Sequence, residues 1–129
     1  MSHMSRYKIG LKIKSSADLK DAVKSYAKKM NLTVTEGKIK DYFGKDVRCD
    51  IGLTGTGLHL GIGFTCDKDS NVNILGDTDM QARFKNTGEE MKNYLNAYQA
   101  AKKAKQINPF ASTSIKMKER KAVLEVQIP

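Results

Sequence analysis

The sequence predicts an α+β fold, in which two amphipathic helices pack on one face of a mainly antiparallel sheet. In several short segments, apolar residues alternate with polar ones at a period of two, which is typical of half-buried strands. Two longer segments carry apolar residues three and four apart, the spacing of an amphipathic helix. The predicted order is β-α-β-β-β-β-α-β-β, and because short turns join most consecutive strands, we expect antiparallel pairing.

The first strand is predicted over residues 7–14, with one apolar face and one basic face. A helix of about four turns follows, because apolar residues recur at helical spacing, Ser15 and Ser16 can cap its start, and Asn31 can end it. The basic face of the strand carries Lys8, Lys12 and Lys14. The polar face of the helix carries lysines one turn apart: Lys20, Lys24 and Lys28.

The middle of the chain predicts a run of strands. Residues 32–36 and 38–43 form extended segments around Gly37, and residues 71–75 form a later short strand. Between them, residues 47–53 and 58–66 form a hairpin around the turn Gly55-Thr56-Gly57. The alternation places Cys49 with Ile51 on the apolar face of this hairpin.

The second helix is predicted to begin at Thr87, which has capping-box spacing to Glu90, and to end before Asn108-Pro109. Positive charge is favourable near the C-terminal end of a helix. Three lysines lie there: Lys102, Lys103 and Lys105. A second hairpin completes the predicted fold, with a polar turn at residues 119–121.

Length and composition suit one domain over residues 1–129, with enough apolar residues for one packed core. No apolar run is long enough to span a membrane, and no secretory segment is evident. Two cysteines, Cys49 and Cys66, are too few for a disulfide scaffold and lack the companions of a zinc site. We therefore expect a cytoplasmic protein with buried free thiols.

The charge of the chain is segregated along the sequence. The net charge of +9 divides into +6 for residues 1–44, −3 for residues 45–81 and +6 for residues 82–129. A surface with this organisation can attract an anion at one place and repel it at another. Solubility alone would also account for a high net charge.

Several short motifs resemble those of a known family. They include the opening Met1-Ser2-His3 and the segments Asp18-Leu19, Tyr42-Phe43-Gly44, Ile62-Gly63-Phe64 and Gly76-Asp77. Together they resemble the chloroplast and cyanobacterial reading-frame family Ycf thirty-five, a family of unknown function that also occurs in other bacteria and in phages. The resemblance covers most of the chain, although the tryptophans that many members carry are missing. It supports the fold and supplies no catalytic or binding residues. Residues 1–4 also match a common cloning remnant.

Two patterns that could carry chemistry are weak. Residues 67–73 place oxygen atoms at alternate positions, as a calcium loop does, but Val72 stands where an EF-hand needs glycine and Thr78 where it needs glutamate. We expect a polar turn and no metal site. His59 lies on an outward strand face without an evident nucleophile, so no catalytic residue is predicted.

Glycines on the outward face of the central hairpin indicate that something approaches it closely. Gly52, Gly61 and Gly63 share this face, and glycine weakens a strand unless the space above it is used. A covering loop, a second subunit or a ligand would each explain them. Gly61-Ile62-Gly63 lies inside a strand with no helix after it, so it is no phosphate loop.

The first functional hypothesis is a non-enzymatic domain, without a cofactor, that binds a phosphate-bearing partner, either nucleic acid or a small nucleotide that it sequesters. Lysine heavily outnumbers arginine, which suits phosphate charge more than the reading of base edges. The candidate anion-binding residues are Lys8, Lys12, Lys14, Lys20, Lys24, Lys28, Arg48, His59, Gly61, Gly63, Lys102, Lys103 and Lys105.

Two observations could separate the versions of this hypothesis. A nucleic-acid binder would lose affinity steeply with salt, whereas a nucleotide binder would have a defined pocket on which lysine or arginine side chains converge. The alternative is a protein-interaction or homo-oligomerising module, favoured by the glycine-bearing sheet face and by exposed edge strands.

Overall fold

The computed structural model describes residues 4–55, 57–79 and 81–129 and confirms the predicted fold class and element order. The helices are α1 (Ser16–Met30) and α2 (Phe84–Ile107). The strands are β1 (Met4–Lys12), β2 (Thr33–Lys40), β3 (Asp46–Gly55), β4 (Leu58–Cys66), β5 (Asn71–Asp77), β6 (Ser112–Lys118) and β7 (Lys121–Gln127). The opening Ser2-His3 and the centre of the Gly55-Thr56-Gly57 turn lie outside the described residues.

The first five strands form one antiparallel sheet in the order β1-β5-β4-β3-β2. Because β1 and β2 are the two edges, α1 carries the chain across the whole sheet between them. Both helices pack on the same face and enclose a hydrophobic core with it. Fully buried side chains at its centre include Leu19, Tyr26, Ile51, Leu53, Ile62, Phe64, Met91 and Leu95.

Helix α1 begins and ends as its sequence predicts. The Ser15 hydroxyl accepts a hydrogen bond from the backbone N–H of Asp18, and Asn31 ends the helix in the left-handed conformation. The predicted apolar stripe is buried, apart from Met30 at its end. Strand β1 ends at Lys12, so Lys14 lies in the connection that leads to the cap rather than on the strand.

The predicted start of α2 is wrong. The helix begins at Phe84, and Thr87 is buried within it instead of capping it. A tertiary contact sets the start of the helix. The Gln81 side chain donates a hydrogen bond to the Gly61 carbonyl, 2.8 Å away, and so holds the segment that leads into α2 against β4. The Phe84 ring then packs over the bare backbone of Gly76 and starts the helix one turn early.

The predicted facing of Cys49 is also wrong. The pairing of β2 with β3 shifts between Glu36 and Lys38, and this bulge reverses the alternation of side chains in β3. Ile51 therefore faces the helices, whereas Cys49 lies against Gly63 on the opposite face. Both cysteines are free and only partly buried.

The β6–β7 hairpin forms a separate two-stranded sheet that packs against α2. Ile115 and Met117 are half-buried against the main core. The turn of the hairpin is attached to α2 because the Asn93 side chain donates to the Arg120 carbonyl and the Arg120 guanidinium donates to Asn86, both at 2.7 Å. Within the described ranges, no helix is long and apolar enough to cross a membrane.

Candidate functional site

A groove of about 620 Å³ lies between α1, α2 and β6, and four lysines line it. Lys28 and Lys29 come from the last turn of α1, whereas Lys102 and Lys105 come from the C-terminal half of α2. We call this feature the lysine groove. Its remaining wall is made of Ser25, Tyr94, Tyr98, Ala101, Thr113, Ser114 and Ile115.

The antiparallel packing of the two helices places these four lysines along the same groove. Asp18 near the start of α1 meets Lys102 near the end of α2, and Tyr26 in the second half of α1 meets Glu90 in the first half of α2. Because the helices run in opposite directions, the two lysine pairs lie toward opposite ends of the groove. The distance along α2 from Tyr94 to Lys105 is roughly 16 Å at the rise of an α-helix.

The lysine groove is where the two basic ends of the chain meet. Lys28 and Lys29 belong to the basic segment of residues 1–44, and Lys102 and Lys105 belong to that of residues 82–129. The acidic segment, residues 45–81, forms β3, β4 and β5 in the middle of the sheet. The lysine groove thus combines positive charges from both basic segments of the sequence.

One of the four lysines has a carboxylate partner. The Lys102 ammonium donates a hydrogen bond to Asp18 Oδ1 at 3.2 Å, and this contact raises the pKa of Lys102 above the ordinary lysine value. In the described part of the chain, no carboxylate lies within ion-pairing distance of Lys28, Lys29 or Lys105. An incoming anion would therefore meet three lysines without breaking an ion pair.

Hydrogen-bonded hydroxyl groups and packed aromatic rings form one wall of the groove. The Ser25 and Tyr94 hydroxyls are hydrogen-bonded at 2.5 Å, and the rings of Tyr26 and Tyr94 meet edge to face. The Tyr94 and Tyr98 rings are nearly parallel, with centroids 6.3 Å apart. Burial raises the pKa of Tyr98, so its ring stays neutral at physiological pH. The groove therefore offers an uncharged aromatic surface between two groups of ammonium ions.

The other predicted basic residues lie outside the lysine groove, and Lys24 is occupied by an ion pair with Glu36 at 3.2 Å. Lys8 alternates with Tyr7 and Ile9, which face α2, and so lies on the side of the sheet away from the helices. Seven of the predicted lysines and arginines thus do not join the groove: Lys8, Lys12, Lys14, Lys20, Lys24, Arg48 and Lys103.

Sequence reasoning missed Lys29 because it followed only the lysines spaced one helical turn apart. Lys29 is adjacent to Lys28 in the last turn of α1, and near a helix end the next residue can face the same cleft. The detectable pattern was a different one, namely that both helices place basic residues near their C-terminal ends.

Side chains of the protein itself pack against the glycines of the central hairpin. A methyl group at Gly61 would lie within van der Waals distance of Ile39 and Thr54, and one at Gly63 would lie 2.9 Å from Cys49 Cβ. Ile39 is buried, because the twisted β2–β3 hairpin folds back over this face of the sheet. A covering loop, a second subunit and a ligand were the three explanations for these glycines. Covering by the protein's own side chains accounts for the contacts.

His59 is exposed on β4 and does not line the lysine groove. Over residues 4–55, 57–79 and 81–129, no three histidine, cysteine, aspartate or glutamate side chains cluster in a way that could hold a metal ion. Burial raises the pKa of the Cys49 thiol to about 11, which disfavours the nucleophilic thiolate at neutral pH.

The residues that begin like a calcium loop form a polar turn. The Asp67 carboxylate accepts hydrogen bonds from the backbone N–H groups of Asp69 and Asn71 and from the Asn73 side chain, at 2.9, 3.0 and 3.3 Å. The bond from Asn71 is the main reason that the pKa of Asp67 is lowered. The carboxylate oxygens thus organise the connection from β4 to β5.

Comparisons with protein-family models, with curated proteins and with solved structures find no match for this chain. The resemblance to the family Ycf thirty-five therefore stays a hypothesis.

Proposed function

We propose that this protein is a non-enzymatic binding domain that holds a phosphate-bearing anion, and specifically a small nucleotide, in the lysine groove. The observation that carries the proposal is the convergence of Lys28, Lys29, Lys102 and Lys105 on one groove from the two basic ends of the chain. The described lining of the groove offers charge and hydroxyl groups but no nucleophile paired with a base, which supports binding without chemical change.

The chemistry of the groove suits phosphate. A lysine ammonium is a compact point charge with three donors, and several of them can surround the oxygens of one phosphoryl group. Hydrogen bonds to charged groups contribute about 1.5–3 kcal/mol each, so the lysines at either end of the groove could hold one phosphate group there. The hydroxyls of Thr113 and Ser114 are additional donors on the opposite wall.

The size and the aromatic wall favour a nucleotide over a bare phosphate. A volume of about 620 Å³ is within the range of small-ligand sites. Tyr98 lies between the two lysine pairs, so a base could rest on its ring while phosphate groups reach the lysines. The other lysines are spread over separate elements on both sides of the sheet, which is less suited to one continuous track for nucleic acid.

Calorimetric titration tests this proposal with ATP, ADP, AMP and pyrophosphate at low salt. Replacing Lys28→Met and Lys105→Met together removes one unpaired lysine from each end of the groove. We expect the affinity for the preferred nucleotide to fall at least about tenfold, because two charge-assisted contacts are lost.

The matched control is the double replacement Lys12→Met and Lys103→Met, which removes the same charge from exposed positions outside the groove. It should bind within about twofold of the unmodified protein, since distant surface charges are screened. Equal losses in the two double variants would refute a site at the groove. The absence of saturable binding of any of these ligands would refute the proposed function itself.

A second candidate function, self-association, is favoured by a different observation. The β6–β7 hairpin has open edges, and Ile107, Phe110 and Ile128 beside it are each more than two-thirds exposed. Large exposed apolar side chains next to unpaired strand edges are typical of interaction sites.

A further inference from the structure

A second groove, of about 670 Å³, lies between β1, β5 and the first half of α2. Among the residues that the structure describes, none lines both the lysine groove and this second groove. Its floor and walls are largely apolar, and they come from Tyr7, Ile9, Ile74, Ala82 and Phe84. The Tyr7 ring is half-exposed beside the buried Phe84, with ring centroids 6.1 Å apart, so an apolar surface is left open to solvent. We call this feature the apolar groove.

Gly88 lets α2 lie close to Ile74 of β5 at the floor of the apolar groove. It lies inside α2, where glycine is less favourable than alanine by about 1 kcal/mol and where its backbone conformation is ordinary. A side chain there would point at Ile74, whose Cδ1 would be 3.1 Å from the added Cβ. The missing side chain thus lets Ile74 pack against the helix backbone at the groove floor, at a position where helix stability alone would select another residue.

The rim of the apolar groove is charged, with more positive than negative groups. Lys85, Glu89 and Lys92 follow one face of α2 at helical spacing. Lys92 reaches across to β1, because its Nζ lies over the backbone of Gly10 and would be 3.2 Å from a Cβ there. In the structure as described, neither Lys85 nor Lys92 has a carboxylate within ion-pairing distance, so both ammonium groups are open to an anionic group at the mouth.

We propose that the apolar groove is a second binding site, for a small carboxylic acid with an unbranched or aromatic apolar body. The body lies over Ile9, Ile74 and Gly88, and the carboxylate pairs with Lys92 at the mouth, with Lys85 adding positive charge. The volume is that of a small-molecule site rather than an extended protein interface. The net positive rim selects the acid over a neutral or cationic molecule with the same body.

The test follows the δ1-methyl NMR signals of isoleucine in the full chain. Decanoate is titrated below its micellar concentration, in parallel with decanol and decyltrimethylammonium, which carry the same body with no charge and with positive charge. We expect the Ile9 and Ile74 signals to move saturably with decanoate, whereas those of Ile51 and Ile62, in the buried core away from this groove, stay in place. Decanol should bind roughly tenfold more weakly, because it lacks the charge-assisted contact.

Two variants with one matched control make the test specific. Lys92→Met should bring the affinity for decanoate down to about that for decanol, and Gly88→Ala should weaken both because its methyl group fills the floor. Lys103→Met removes an α2 charge outside both grooves and should change neither affinity. The proposal is overturned if decanoate and decanol bind equally to the unmodified protein, or if no added compound moves the Ile9 and Ile74 signals. It is also overturned if those signals move with protein concentration alone, since a second copy would then occupy the groove.

Discussion

At the scale of single residues, the glycines of the central hairpin serve packing. Gly52 faces the side chains of Thr35 and Ile39, and Gly63 faces those of Cys49 and Leu75. In each case a methyl group would approach a neighbouring carbon closer than real contacts allow. The sequence correctly indicated a close approach at this face, but it could not identify what approaches, because the covering residues reach it only through the bulge and twist of β3.

Gly63→Ala should therefore destabilise the fold without affecting the lysine groove. The added methyl would lie 2.9 Å from Cys49 Cβ and 3.2 Å from Leu75 Cγ, and relieving such overpacking costs about 1–3 kcal/mol. Urea denaturation should show a loss of this size in the free energy of unfolding. The affinity for the preferred nucleotide should be unchanged in the folded protein.

The same replacement at Gly88 is the control for the general effect of adding a methyl group. Helix propensity favours alanine there by about 1 kcal/mol, and its close neighbour is the movable end of Ile74. Gly88→Ala should thus lose less stability than Gly63→Ala, in which the close neighbour is the Cβ of Cys49. If Gly63→Ala were as stable as Gly88→Ala, the packing explanation for the hairpin glycines would be wrong.

At the scale of elements, local sequence predicted α1 in full and α2 only in part. The limits of α1 depend on Ser15 and Asn31, which act within a few residues of themselves. The start of α2 depends on Gln81 and Phe84, whose partners Gly61 and Gly76 belong to other strands. A capping pattern at Thr87 was present in the sequence, but burial against the sheet outweighed it.

The candidate site follows the same division. The lysines of each helix could be found from sequence, because charge on the polar face of an amphipathic helix is a local pattern. That Lys28 and Lys105 line the same groove depends on the antiparallel pairing of the helices and on β6 closing the third side. Neither follows from spacing along the chain. The sequence therefore predicted Lys8 and Lys103 as candidates and could not show that they lie outside the groove.

The exposed apolar residues beside the β6–β7 hairpin predict self-association at the scale of elements. If its exposed apolar neighbours mediate self-association, the weight-average mass in sedimentation equilibrium should rise with protein concentration. Phe110→Ser should lower the association constant about tenfold or more, because burying an aromatic side chain contributes about 2 kcal/mol. High salt should have little effect on an apolar contact.

Phe43→Ser is the control for loss of an exposed aromatic ring. Phe43 is 72% exposed at the turn between β2 and β3, in another part of the fold from the β6–β7 hairpin. It should leave the association constant unchanged. A protein that stays monomeric up to millimolar concentration would remove self-association as a candidate function.

At the scale of the whole molecule, the fold places the acidic and basic segments of the sequence in different parts of the structure. The acidic segment supplies the three inner strands, and the basic segments supply the two edge strands, both helices and the outer hairpin. Anions are thus attracted toward the helical side, where the lysine groove lies. Because lysines also cover surfaces outside the groove, a long polyanion could bind by a different mode from a nucleotide.

The dependence of affinity on salt distinguishes these two modes. A nucleotide carries only a few phosphate charges and lacks the condensed counterions of a long polyanion, so a plot of its log affinity against log salt concentration should have a shallow slope. A single-stranded oligonucleotide that covered the basic surface more widely would give a steeper slope and would lose affinity in the Lys12→Met, Lys103→Met variant as well. We expect the nucleotide to show the shallow slope and to lose affinity only in the Lys28→Met, Lys105→Met variant. If instead only the oligonucleotide bound, with a steep slope and with equal losses in both variants, the basic surface as a whole would be the functional feature rather than the groove.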